Sequence, residues 1–189
     1  MKTTTTYKMA AAGLMAALTC ILGPMSLAIP VSPVPISLTN LVIYLSVYIL
    51  GWKLGCISYL VYLLLGLAGL PVFSGFSGGA GKLFGPTGGY LIGFIFMAGI
   101  CGLFFEKFHC ENKCYRYLLN CVGMVLGTLV AYLFGTVWLA VQAGLDFRAA
   151  LGAGVIPFIP GDLTKIVIIL IIGPIIRKRL NKAGFQFYT

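Results

Sequence analysis

The chain repeatedly runs for a helix's length or more without a charged residue. None stands between Lys8 and Lys53, between Lys53 and Lys82, between Lys82 and Glu106, or between Arg116 and Asp146. A soluble domain carries about 25% charged residues. Here Asp, Glu, Lys and Arg make up 9%, apolar residues 60%, and the mean hydropathy is +1.02. Such a surface cannot be covered by water, but it can face lipid. No segment is polar enough for a second, soluble domain, so residues 1–189 are expected to form a single transmembrane domain.

A spanning helix needs roughly 20 apolar residues. Six candidates follow, at about 9–28, 36–50, 54–70, 90–105, 117–143 and 161–179. Gly51, Trp52 and Lys53 alone separate the second and third, which predicts a tight antiparallel pair. The first run follows Lys2 and Lys8, as in a signal peptide, but its length and the absence of a lipoprotein cleavage pattern at Cys20 predict a retained helix.

Charge sets the orientation. Ten of the thirteen Lys and Arg residues fall on one side of the six spans, from Lys2, Lys8 and Lys53 to the cluster Arg177, Lys178, Arg179 and Lys182. Lys82 and Arg148 fall on the other side, and Lys165 lies in or at the edge of the last span. Both termini are therefore expected in the cytoplasm, and the net charge of +9 is explained without nucleic acid. The connections on the far side, 29–35, 71–89 and 144–160, are long, nearly uncharged and rich in Pro and Gly. Phe73, Phe76, Leu83 and Phe84 would hold 71–89 against the bundle. Irregular backbone near membrane depth is tolerated where it lines a protected cavity. The expected fold is thus all-α: a six-helix membrane bundle with an outward-facing ligand pocket closed by Pro/Gly-rich outer loops.

Chemistry concentrates in Pro157-Phe158-Ile159-Pro160-Gly161-Asp162-Leu163-Thr164-Lys165. The prolines end any preceding helix and favour a new start. Asp162 then falls in a first turn, where a carboxylate can cap free N–H groups, and Lys165 lies one turn on, on the same face. Capping with a snorkelling Lys needs no ligand. Against it stands the cost of an intramembrane charge, about 2.5–3.5 kcal/mol on insertion scales, which usually marks a cavity or partner. An acceptor beside a donor suits a neutral group bearing both N–H and C=O, such as a urea or amide.

Other signals are weaker. The stretch Gly75 to Leu83 lacks the first Gly and the Ser or Thr of a phosphate loop, because Phe76 and Leu83 occupy those positions. Cys20, Cys56, Cys101 and Cys121 sit in apolar runs, and Cys110, Cys114 and His109 lack a fourth metal ligand. No nucleophile–base pair or helical metal motif supports an enzyme. In the first span, Ala12 with Ala16 and Gly13 with Ala17 form small-xxx-small pairs suited to close helix approach, within the bundle or against another subunit.

Taken together, Val34-Pro35-Ile36-Ser37-Leu38, Gly66-Leu67-Ala68-Gly69-Leu70-Pro71-Val72-Phe73, Gly85-Pro86-Thr87-Gly88-Gly89-Tyr90-Leu91-Ile92-Gly93-Phe94 and the Asp162 segment resemble, in order and spacing, the BioY family. These proteins are the biotin-specific substrate-binding components of energy-coupling factor vitamin transporters. The resemblance implies six helices, high-affinity capture of biotin from outside, and a bacterial cell membrane. It implies no cofactor in this chain, with ATP used by two partner ATPase subunits that join a transmembrane coupling subunit, and tipping of the loaded subunit in the membrane. It assigns Asp162 and Lys165 to the ureido ring, Tyr90 to its aromatic and hydroxyl contacts, Phe73 and Phe76 to a lid, and Ala12 and Ala16 to docking of the coupling subunit. Thr39 stands where the family often has Gln, which leaves Asn40 as the polar contact of that turn. Lys82 or loop N–H groups would meet the carboxylate. The alternatives are a component for another vitamin, such as thiamine or riboflavin, or a stand-alone secondary biotin transporter, although no internal repeat of the kind common in that class is evident.

Overall fold

Apolar helices without a water-facing side must bury what polarity they carry, and the arrangement follows from that. The computed structural model describes residues 5–30, 32–107, 113–185 and 187; Lys2, His109, Cys110 and Glu111 lie outside them. Helix α1 (Thr5–Leu22) leads into a hairpin of β1 (Ser26–Ile29) and β2 (Ser32–Ser37). Then come α2 (Thr39–Leu50), α3 (Trp52–Leu67), a single turn α4 (Ala80–Leu83), α5 (Gly88–Lys107) and α6 (Lys113–Ala143). The chain ends with α7 (Phe147–Gly154), a 3-10 turn at Ile156–Phe158 and α8 (Ile159–Lys182).

Among the described residues four stretches are long and apolar enough to cross a bilayer: Thr5–Leu22, Gly88–Glu106, Cys114–Ala143 and Phe147–Lys182, the last taking in α7 and the 3-10 turn. The apolar helices α2 and α3 are shorter, at 12 and 16 residues. Ten residues of α2 are buried, because it is enclosed by α1, α3, α5 and α8 rather than by lipid. A 12-residue helix spans about 18 Å, less than the ~30 Å hydrocarbon core. The turn between α2 and α3 is as tight as expected and rests on Gly51 at φ +85°, a conformation that favours glycine.

Two expectations need correction. The fold is not purely helical, because 26–37 forms an antiparallel hairpin with Ser26 opposite Ser37 and Leu27 opposite Ile36. Pro33 and Pro35 cannot donate to a ladder but are tolerated on an edge strand. The first helix therefore stops at Leu22, before Gly23-Pro24, rather than near residue 28. Likewise, Ala12 and Ala16 do not form a free face: both are buried, Ala12 against Ile49 and Leu50 of α2. The exposed small pair is Gly13 and Ala17.

The basic helix ends gather at one end of the bundle. The backbone N–H of Trp52, opening α3, donates to Glu106 Oε1 of α5 at 2.8 Å, Tyr48 packs against Phe105 with ring centroids 4.9 Å apart, and Tyr7 meets Phe185 edge-on. At the opposite end Phe73 is fully buried, its ring lying over the backbone of Gly66, where a Cβ would collide with it. Helices in lipid gain by such close approach. Gly66→Ala should lower stability by about 1–3 kcal/mol through overpacking, read by thermal unfolding in detergent. Gly13→Ala, at a position with nothing within 4 Å, should leave the transition unchanged.

Candidate ligand-binding site

Pro160 in the first turn of α8 starts the helix without needing an N–H, and 3.6-residue periodicity then turns Asp162 and Lys165 to one face. That face meets the start of α2, the end of β2 and the middle of α6. Asp162 does not cap its own helix, whose N-cap Phe158 lacks a side-chain hydrogen bond. Its carboxylate looks inward instead. Oδ1 accepts from Asn40 Nδ2 at 2.8 Å and from Lys165 Nζ at 2.9 Å, and Oδ2 accepts from the Tyr132 hydroxyl at 2.6 Å. Nor does Lys165 snorkel: it is 6% exposed and donates also to Asn40 Oδ1 and to the carbonyl of Ser37, both at 2.8 Å.

Asn40, Asp162 and Lys165 thus close a ring of hydrogen bonds. The Asn40 amide orientation is determined by its neighbours, since a carboxylate only accepts and an ammonium only donates. All three Lys165 hydrogens are engaged. A buried ion pair repays its desolvation only when further hydrogen bonds satisfy both ions, and here Ser37, Asn40 and Tyr132 supply them.

The ring forms the polar wall of a cavity of about 60 Å³. Val34, Tyr90, Phe94 and Phe158 make the apolar wall. Tyr90 is seated against the backbone of Gly135 and Gly154, and its hydroxyl donates to the Gly154 carbonyl at 2.7 Å. Ser74 and Thr87, from the segment between α3 and α5, complete the lining. Tyr62 also lines the cavity, and its buried hydroxyl, close to Thr39, makes no hydrogen bond of acceptable geometry.

Of the residues expected at a site, the structure brings Asn40, Asp162, Lys165 and Tyr90 together around this cavity. Phe73 stands behind it, edge-on to Tyr62 at 5.6 Å. Phe76, 71% exposed, and Lys82, half-buried on α4, are not part of the lining. Sequence reasoning missed Ser37, Tyr62, Thr128 and Tyr132. For the last two a signal existed: polar side chains four apart inside an apolar helix of 31 residues. Thr128 donates to the Met124 carbonyl and so accepts from the Tyr44 hydroxyl. Among the described residues no group of His, Cys, Asp and Glu could hold a metal ion.

The sequence model of the BioY family matches residues 1–182. The chain is 40% identical over 152 residues to the biotin transporter BioY of Thermotoga maritima, covering 80% of this chain and 86% of that protein. It is 33% identical over 189 residues to the biotin transporter BioY2 of Lactococcus lactis subsp. cremoris, covering 99% of each. Its structure resembles a crystal structure of the S-component for biotin from an ECF-type ABC transporter, with a TM-score of 0.81 and 32% identity over 93% of this chain and 95% of that one.

Replacing Asp162 with Leu should cost about 3–5 kcal/mol, because it leaves the Lys165 charge buried without a counter-ion. The double replacement Asp162→Leu with Lys165→Met should recover most of that loss. Thermal unfolding of both variants in detergent checks the pair independently of any ligand.

Proposed function

The chain belongs to the BioY family, and from that premise we propose that it captures biotin at the outer face of a bacterial cell membrane. It does so as the substrate-binding subunit of an energy-coupling factor transporter, a binding and transport protein rather than an enzyme. The observation that carries this reading is the division of the cavity into one polar and one apolar wall. With Lys165 saturated, the polar wall still has the second N–H of Asn40 Nδ2 and the remaining lone pairs of Asp162 to offer. A ureido ring presents a carbonyl next to an N–H, so its carbonyl would accept from Asn40 and its N–H would donate to Asp162. Lys165 then holds both partners in place. Tyr90, Phe94 and Phe158 would pack on the bicyclic carbon and sulfur skeleton. Lys82, the Tyr62 hydroxyl and N–H groups of the outer segments are the candidate donors for the valerate carboxylate.

A cavity of about 60 Å³ is well below the ~300–1,000 Å³ of small-molecule pockets. Entry of biotin therefore requires the hairpin 26–37 and the segment 68–87, with Phe73 and Phe76, to swing outward and then close. In this reading α1, α3, α5, α6 and α8, with the shorter α2 enclosed among them, are the six helices of a single transmembrane domain, and the pocket opens outward. The basic end with both termini faces the cytoplasm, as Lys and Arg asymmetry favours. The chain carries no cofactor of its own. Two partner ATPase subunits use ATP, and a transmembrane coupling subunit docks on the exposed Gly13 and Ala17 side of α1.

Equilibrium binding of biotin to the purified, detergent-solubilised chain tests the proposal. Tight one-to-one binding is expected. Asp162→Asn and Asn40→Ala should each weaken it by about tenfold or more, in line with loss of a hydrogen bond to a charged or buried group. Lys165→Ala should weaken it indirectly, and Phe76→Ala should raise the dissociation rate. No binding by a folded sample, or wild-type affinity in the Asp162 and Asn40 variants, would overturn the assignment. Biotin uptake by cells lacking the partner subunits would instead favour a stand-alone transporter.

A further inference from the structure

The first turn of α2 divides the polar lining of the cavity into two poles. Successive residues of a helix point about 100° apart. Asn40 therefore turns to Asp162 and Lys165 of α8, while Thr39 stands close to the Tyr62 hydroxyl of α3. Ser37 serves both poles: its carbonyl accepts from Lys165 Nζ at 2.8 Å, and its hydroxyl donates to Thr39 Oγ1 at 3.1 Å. The pole at Asn40 holds a carboxylate and an ammonium, each satisfied partly by the other. Away from that pair the lining carries no charge.

At the second pole Tyr62 has a hydrogen to spare. Among the described residues four buried side-chain groups make no hydrogen bond, those of Ser46, Ser58, Tyr62 and Thr136, and of these Tyr62 alone lines the cavity. The other three are short hydroxyls on helices, which can rotate to the carbonyl one turn earlier. A phenol hydroxyl stands too far from its own backbone for that. Tyr62 is 0% exposed, and its ring is held by Tyr59 and Phe73, with centroids 5.5 and 5.6 Å away. Because Ser37 spends its hydroxyl hydrogen on Thr39 Oγ1, the hydrogen of Thr39 is free for the Tyr62 oxygen, which leaves the Tyr62 hydrogen for an acceptor in the cavity. A buried hydroxyl without a partner is a standing cost, and an acceptor brought in by a ligand removes it.

We propose that Tyr62, with Thr39 oriented behind it, is the specificity-determining donor for the oxygen at the far end of the ligand's side chain, and that the site reads an acceptor there rather than a negative charge. The inference rests on the reading of the cavity as a biotin site. It goes beyond that reading by setting the class of compound admitted: the bicyclic ring with a side chain ending in a carbonyl, as acid or as amide. Lys165 cannot serve a carboxylate, because its three hydrogens go to Ser37, Asn40 and Asp162, and Lys82 is not in the lining. A carboxylate makes the stronger hydrogen bond to a neutral donor but loses more hydration on entry, so the acid gains little over the amide.

The test is equilibrium binding of three ligands to the purified, detergent-solubilised full chain: biotin, biotinamide, and an analogue of biotin with methyl in place of the carboxyl. Biotin and biotinamide should bind within about tenfold of each other, and the methyl analogue about tenfold or more below biotin. Tyr62→Phe, which keeps the ring and its packing, should weaken biotin and biotinamide by about tenfold and leave the affinity for the methyl analogue as it was. Thr39→Val should weaken the same two ligands by a smaller factor and Thr39→Ser should restore them, which decides the matter if Tyr62→Phe fails to fold. An equal loss for all three ligands in Tyr62→Phe, or no loss for any, would mean that the hydroxyl holds a buried water or only the bundle, and would overturn the proposal. So would a wider gap between biotin and biotinamide; its disappearance in Lys82→Gln would identify a cation as the reader of the side chain. In each of these cases the ureido contacts of Asp162 and Asn40 stand, whereas a folded wild-type chain that binds none of the three ligands would remove the biotin reading itself.

Discussion

Lys165 carries a charge into an apolar bundle, and much of the half of the molecule opposite the basic helix ends is arranged to receive it. An ammonium has three hydrogens to donate, and with Lys165 buried all three go to protein acceptors. Asp162 supplies one from the preceding turn of α8, Asn40 another from the first turn of α2, and the Ser37 carbonyl a third from the end of β2. Tyr132 of α6 then completes the carboxylate. Four elements distant in sequence are thereby pinned to one point. The hairpin, which has few partners of its own, is held at the mouth of the cavity largely through Ser37 and through the packing of Val34 on Tyr90 and Phe158.

Away from that point, packing follows the rules of lipid rather than of water. Apolar surface gains nothing by moving from hydrocarbon to a neighbouring helix, so association depends on close approach. The chain uses glycine for this throughout its core: Gly66 beneath Phe73, Gly102 beside Trp52, Gly135 and Gly154 around Tyr90. Helix α2 shows the other consequence. Too short to span a bilayer alone, it is surrounded by longer helices, which lets its Asn40, Tyr44 and Tyr48 turn inward to polar partners without meeting lipid.

The two ends of the molecule therefore do different work. At one end, uncharged irregular segments cover a cavity whose polar wall is internally satisfied yet retains spare donors and acceptors. At the other, the basic helix ends gather. In the proposed reading the first end opens for ligand capture, which its short hairpin and loop suit.

Membrane residence, the helical class and the Asp162–Lys165 pair were all legible in the sequence. Charge depletion over helical lengths and a spacing of three residues are local properties that survive any arrangement of the helices. The Pro-Gly stretches marked the covering segments for the same reason, although the pairing of 26–29 with 32–37 went unseen because two prolines speak against a strand. Tertiary structure alone decided what the pair does. Asn40 reaches Asp162 across 122 residues, Ser37 reaches Lys165 across 128, and Tyr132 reaches Asp162 across 30, and contacts over such separations leave no periodic trace in one sequence. The same holds for Ala12 and Ala16: a small-xxx-small pair announces close approach, but whether it approaches the chain's own α2 or a different subunit depends on the rotation of α1 about its axis, which only the packed bundle determines.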